Sequence, residues 1–236
     1  MCLESVTMTG PGVSEDVPVL TLASTSPRRR QLLTLFGWKF EVISADIDES
    51  SLQGETPAEY VIRLAACKAR ACAEHFRDIG NHIVRLIVAA DTAVVDGSNI
   101  LGKPVDEAEA MYMLQRLRGR IHQVYTGIAI LSCNETLLTD VCITEVPMRS
   151  YSEQEMGAYI ASGDPMDKAG AYAIQHPLFR PVESLSGCYA NVMGLPLCHL
   201  ERALIKLGLQ ANVDVAQACQ DYLGYQCQVA GLLSCC

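Results

Sequence analysis

Lysine and arginine are scarce at both ends of this 236-residue chain: none occurs in the first twenty residues and none beyond Gln210. A secretory signal needs a basic start followed by an apolar run, and Met1 to Leu20 carries Glu4, Glu15 and Asp16 instead. Residues 1–18 therefore read as a flexible leader, and residues 209–236 as a C-terminal tail or a weakly attached helix. Basic residues are also outnumbered overall, 18 against 27 acidic, for a net charge of −9. That excludes a coat for duplex nucleic acid, whose footprint is a basic face. No uncharged stretch reaches the roughly 18–20 apolar residues that cross a bilayer, so no membrane partner is expected. The eleven cysteines include no C-x-x-C pair, which removes the usual zinc spacing. They fit a reducing, cytoplasmic setting as small core residues, and the terminal Cys235-Cys236 reads as part of the tail rather than as a lipid anchor. Neither G-x-x-x-x-G-K-[ST] nor G-x-G-x-x-G is present, so the two common phosphate-binding loops are absent.

What is present is a core. Apolar residues make up 50% of the chain and charged residues only 19%, enough to bury a sizeable interior and too apolar for general disorder. Strands and helices alternate without internal repeats. Val19–Ala23 reads as a strand. Ser26 then caps a helix with Pro27 at its first position, and Gly37 ends it. Phe40–Ser44 reads as a second strand. Thr56-Pro57-Ala58-Glu59 is a capping box for a helix running to about Phe76, with Val61, Leu64, Ala65 and Cys72 on one stripe. Leu86–Ala90 reads as a buried strand ending at Asp91. Asp106 caps a helix that Gly119 stops. Val124–Ser132 and Leu137–Val146 form a hairpin, Ser152 starts a short helix, Ala169–Gln175 returns as a strand, and Pro196–Leu207 is the last clear helix.

Three features depart from a plain globular pattern. Ser24-Thr25-Ser26-Pro27-Arg28-Arg29-Arg30 gathers hydroxyls, free backbone N–H groups and cations at a helix start. The helix dipole disfavours cations there unless an anion is bound; an ordinary cap with a solvated basic turn is the plainer reading. Lys68 falls on the apolar stripe of its helix, where a charge is costly unless paired, or where the side chain snorkels out. Removing an unpaired lysine from that stripe would not be expected to destabilise the fold. Asp91-Thr92 puts a carboxylate at a strand end, where ligands of open α/β sheets sit; the alternative is a turn cap. Lys103 in Leu101-Gly102-Lys103-Pro104 can present an ammonium to the same place. Together they suggest a polyphosphate site: Ser24, Arg28, Arg29, Lys68 and Lys103 for phosphates, and Asp91 with Glu49 or Asp46 for magnesium or manganese, which take oxygen ligands and keep waters.

The sequence resembles the Maf family of nucleoside triphosphate pyrophosphatases. The resemblance rests on LASTSPRRRQLL from Leu22, ETPAEYVIRLAACKA from Glu55, VAADTAVV from Val88, LGKPVDEAEAMYMLQRLRGRIHQVYTG from Leu101, YIASGDPMDKAGAYAIQ from Tyr159, and NVMGLPL from Asn191. It covers about residues 19–207, a domain taken as 19–208. It implies an α/β fold of the inosine triphosphate pyrophosphatase type: a mixed, elongated, twisted sheet with helices and two lobes around a cleft. It implies cleavage between α- and β-phosphates, with a divalent cation, in cytoplasmic homodimers. It maps the catalytic carboxylate onto Asp91 and other site positions onto Ser24, Arg28, Arg29, Glu49, Lys68, Lys103 and Gln175. Arg28, Thr92 and Gln175 match the dTTP/UTP branch rather than the 7-methyl-GTP branch, which carries Glu in place of the glutamine. A glutamine amide offers the donor and acceptor that a uracil or thymine edge requires. A nucleotide-binding regulator without turnover is the competing function.

Overall fold

The computed structural model describes residues 19–77 and 85–230. The leader at 1–18 and Cys235-Cys236 lie outside the described residues. In chain order the elements are β1 (Val19–Ala23), α1 (Pro27–Thr34), β2 (Phe40–Ile43), α2 (Pro57–Arg77), β3 (Arg85–Asp96), β4 (Asn99–Leu101), α3 (Glu107–Leu117), β5 (Ile121–Ser132), β6 (Leu137–Pro147), α4 (Glu153–Ala161), α5 (Tyr189–Met193), α6 (Leu197–Ile205) and α7 (Val215–Leu223). Two short 3-10 segments, Asp164–Asp167 and Ala169–Ala171, fall between α4 and α5.

The sheet is mixed, as expected, in the order β2-β1-β3-β5-β6 with β4 on β3. β1 runs parallel to both β2 and β3, whereas β3–β4, β3–β5 and β5–β6 are antiparallel. The local signals act as their chemistry dictates. Ser26, Asp106 and Ser152 each accept a backbone N–H three residues on, and Ser152 with Glu155 completes a capping box. Helix α2 lies on one face of the sheet, packing Ala65, Ala66 and Ala69 against Ala23, Ile87, Ala89 and Ala129. These small residues allow close approach. Gly127 is where the approach is tightest: a Cβ there would stand 2.5 Å from the Val61 carbonyl. The opposite face carries the larger core, with Leu32 and Leu33 of α1, Leu114 and Leu117 of α3, and Leu197 and Leu200 of α6.

One feature of the pairing creates the site. β5 covers one edge of β3 from Leu86 to Val95. The other edge is paired with β1 only up to Val88 and with β4 only from Val94. Between those points β3 has an open edge, and Asp91 and Thr92 sit in that gap. The strand therefore does not end at Asp91, as the sequence suggests; it continues to Asp96, because β5 supplies a full antiparallel partner. What ends is β1.

One further expectation is corrected. Ala169–Gln175 is not a strand: Gly170 and Ala171 are left-handed, with φ of 69° and 58°, which a strand cannot accommodate. The apolar run Ala171–Ile174 is nevertheless buried, and side chains replace a ladder, the Tyr159 hydroxyl accepting from the Ala173 N–H at 2.9 Å. Of the stretch read as a weakly attached helix or a tail, the described residues up to Ala230 hold a helix, α7, that is docked. Val215 and Cys219 of α7 are buried, and the Tyr225 hydroxyl donates toward the carbonyls of Leu185 and Gly187, 2.9 Å from each.

Candidate functional site

The gap in β3 opens into a cavity of about 350 Å³. Consecutive β3 residues point to opposite faces of the sheet, so Asp91 faces α2 while Thr92 faces α1 and α5. Lys68 of α2 lies on the sheet-facing stripe expected for it and is 9% exposed. Its ammonium is not unpaired: Nζ lies 2.5 Å from Asp91 Oδ1 and 2.7 Å from Glu49 Oε1. Glu49 comes from the loop between β2 and α2, and α2 holds that loop. The Tyr60 hydroxyl donates to the Glu49 carbonyl at 2.8 Å, and Arg63 bonds the Ser50 carbonyl and both oxygens of Glu55.

On the other side of the gap, the N-terminus of α1 meets β3. Ser24 Oγ accepts from the Ser26 N–H at 3.2 Å. Arg29 donates from Nε to the Gly194 carbonyl at 2.8 Å, from Nη2 to Thr92 Oγ1 at 3.0 Å, and from Nη1 to Ser24 Oγ at 3.4 Å. Gly194 is left-handed with φ of 108°, and a Cβ on it would come 3.3 Å from Arg29 Nε, so glycine there leaves room for the guanidinium. Arg28 and Lys103 line the same cavity.

The charges respond to this packing. Burial pushes the Asp91 carboxyl above its ordinary value, while Lys68 and Arg29 pull it the other way. Burial also opposes ionisation of Glu49, but the Lys68 ammonium, with Lys103 and Arg29 beyond it, holds that carboxyl below its usual range. The Arg29 guanidinium is lowered by burial, an effect the Asp91 carboxylate opposes. The result is five cations, Arg28, Arg29, Lys68, Lys103 and Lys168, and three carboxylates, Glu49, Asp91 and Asp167, around one opening, a group that can hold an anion beside a carboxylate.

The structure thus brings together Ser24, Arg28, Arg29, Glu49, Lys68, Asp91, Thr92 and Lys103. Gln175 is not among them. It lies exposed in the turn after the second 3-10 segment, in a separate depression with Arg149, His176 and Arg180. Asp46, the alternative to Glu49, is exposed and does not line the cavity. Three contributors escaped sequence reading. Tyr60 positions the Glu49 loop. Lys168, 8% exposed, lines the cavity and is held by Asp164 at 3.1 Å and Asp167 at 2.6 Å. The Asp-x-x-Asp-Lys spacing was the available signal for it. Thr126, wholly buried on β5, touches Thr92, and nothing in its own sequence context marks it.

A mixed α/β sheet with an open-edged central strand, a basic helix start and a lysine clamped between two carboxylates is an arrangement suited to binding an anion. The chain belongs to the Maf family: the model for Maf-like protein matches residues 19–207. A dTTP/UTP pyrophosphatase of Geotalea uraniireducens is 45% identical over 190 residues, covering 80% of this chain and 95% of that protein. The dTTP/UTP pyrophosphatase of Geobacter sulfurreducens is 44% identical over 190 residues, covering 80% and 96%. That of Bacillus cereus is 44% identical over 204 residues, covering 86% and 95%. A solved dITP/XTP pyrophosphatase from Mycobacterium abscessus overlays 80% of this chain and 97% of its own at 16% identity, with a TM-score of 0.40, too loose an overlay to bear on the fold.

Proposed function

We propose that this protein hydrolyses nucleoside triphosphates, dTTP and UTP among them, to the monophosphate and pyrophosphate, removing surplus or modified pyrimidine nucleotides. The observation that carries the reading is the Lys68 ammonium held between Asp91 and Glu49 beside the basic start of α1. The relatives named above support the substrate class. Arg28, Arg29 and Lys103 oppose the triphosphate charge and stabilise its increase during cleavage. Asp91, its carboxyl raised by burial, orients and deprotonates the attacking water, a role suited to a base tuned toward neutrality.

A magnesium or manganese ion belongs to the same proposal. Asp91 and Glu49 both reach the Lys68 ammonium, so their carboxylates lie side by side at the cavity, and a cation there would be held by the carboxylate oxygens not committed to Lys68. Among the described residues no group of three or more metal-ligating side chains exists. Two carboxylates completed by phosphate oxygens and water suit a hydrated divalent cation, which would supply charge neutralisation on the phosphates when bound. Base reading by Gln175 requires the turn that carries it to move toward the cavity on binding. A homodimer and a cytoplasmic location, implied by the family resemblance, complete the proposal; among the described residues no helix is long and apolar enough to cross a membrane.

The test is pyrophosphate release over a panel of nucleoside triphosphates with magnesium or manganese. Turnover highest with dTTP and UTP supports the reading. Highest turnover with 7-methyl-GTP moves the protein to that branch, and tight binding without release makes it a regulator instead.

A further inference from the structure

The Arg29 guanidinium is aimed by its acceptors, and one of these has a polarity that must itself be set. A hydroxyl has one hydrogen to donate. Thr126, opposite Thr92 in the β3–β5 register, donates its hydrogen to the Asn191 carbonyl at 3.0 Å. With that hydrogen committed, the 2.9 Å contact between Thr126 Oγ1 and Thr92 Oγ1 has Thr92 as donor. The Thr92 oxygen then presents only lone pairs to Arg29 Nη2, at 3.0 Å. The sense of the whole run is fixed: Arg29 to Thr92 to Thr126 to Asn191. Its far end is anchored, because the Asn191 amide donates to the Val124 carbonyl at 3.0 Å and to Thr144 Oγ1 at 2.9 Å. Thr126 and Asn191 are both wholly buried, so water cannot substitute for a missing member, and aligned hydrogen bonds of this kind reinforce one another.

We propose that Thr126 is a positioning residue: from beneath the cavity floor it sets the donor sense of the Thr92 hydroxyl and so holds Arg29 on the phosphates. This rests on the reading that the cavity takes a triphosphate. Thr126→Val keeps the shape and removes the hydroxyl. The Thr92 hydrogen then has no acceptor beneath it, so nothing fixes the rotor of that hydroxyl and its lone pair is no longer held on Arg29.

The test measures UTP turnover and, separately, the affinity for a non-hydrolysable α,β-methylene UTP by calorimetry. Loss of one such bond should lower kcat/KM and affinity by about 3–10-fold. Thr126→Ser, which keeps the hydroxyl and loses the methyl, should recover most of that loss. In an Arg29→Ala background, Thr126→Val should cost less than about twofold, because the group it positions is gone. An equal cost in both backgrounds, or no recovery by serine, makes Thr126 a packing residue and overturns the proposal. So does a Thr126→Val protein that matches the parent. A parent that binds the analogue but releases no pyrophosphate defeats the hydrolase reading alone, and the affinities still decide the role of Thr126. A parent that binds no triphosphate overturns both.

Discussion

At the scale of single residues, the site is an exchange of charges around Lys68. From the stripe alone, loss of this lysine carried no expected cost. The structure reverses that expectation, since Asp91 is itself only 7% exposed and relies on the ammonium 2.5 Å away. Removing one partner of a buried pair leaves an uncompensated charge and costs about 3–5 kcal/mol. Lys68→Met should therefore unfold at lower denaturant at pH 7, by an amount toward the low end of that range because Arg29 still faces Asp91. Adding Asp91→Asn should return much of it. Chemical denaturation of the two single variants and the double one checks this, and additive losses would show that the pair is not coupled. Asp91→Asn by itself keeps the shape of the side chain and removes its charge. It should bind nucleotide and lose turnover by about 10²–10⁴-fold, the range for a positioned general base; activity within twofold of the parent would end the assignment.

At the scale of elements, backbone approach decides where a side chain is tolerated. α2 delivers Lys68 only because it lies close to β5 over Gly127. Gly127→Ala would place a methyl 2.5 Å from the Val61 backbone, which forces the helix outward and costs about 1–3 kcal/mol or more. Turnover should fall with it, as Lys68 moves away from Asp91. Gly157 is the opposite case. It lies inside α4, and a methyl group added there would meet nothing within 4 Å, so alanine should stabilise by about 0.5–1 kcal/mol through helix propensity. Thermal melts of both variants are the check, and a Gly127→Ala protein as stable as the parent would contradict the packing described for α2. The caps at Ser26, Asp106 and Ser152 were legible in the sequence because capping is local chemistry confined to four residues. The strand proposed over Ala169–Gln175 failed because apolar composition reports burial, and burial there comes from packing without a ladder.

At the scale of the molecule, one buried histidine ties sheet to loop. His122 of β5 is 2% exposed, and its Nε2 lies 2.8 Å from the Tyr172 hydroxyl. Burial lowers its pKa to about 4 from 6.5. Below pH 6.5 the unfolded chain takes up a proton that the folded chain refuses until about pH 4, so stability drains away as pH falls through that window. The interval sets a ceiling of about 3 kcal/mol on the loss. Urea unfolding at pH 7 and pH 5 should show a larger drop for the parent than for His122→Phe, whose baseline is lower because Tyr172 loses its partner. Equal pH dependence in the two proteins would exclude His122 as the source.

Local sequence was enough to specify the caps, the hairpin, the alternation of strands and helices, and the grouping of Ser24, Arg28, Arg29, Lys68, Asp91 and Lys103 as one set, which the fold places around one cavity. Each of these is encoded in short spacings or in charged residues at places, an apolar stripe or a helix start, that ordinarily lack them. Four facts came from the folded chain instead: β3 continues past Asp91 with one edge open, Lys68 is paired with both Asp91 and Glu49, Asp46 and Gln175 stand apart from the cavity, and Thr126 lies beneath Thr92. Those facts depend on which strands stop and which go on, and strand pairing joins residues tens of positions apart whose side chains carry no local mark of the partner they will meet.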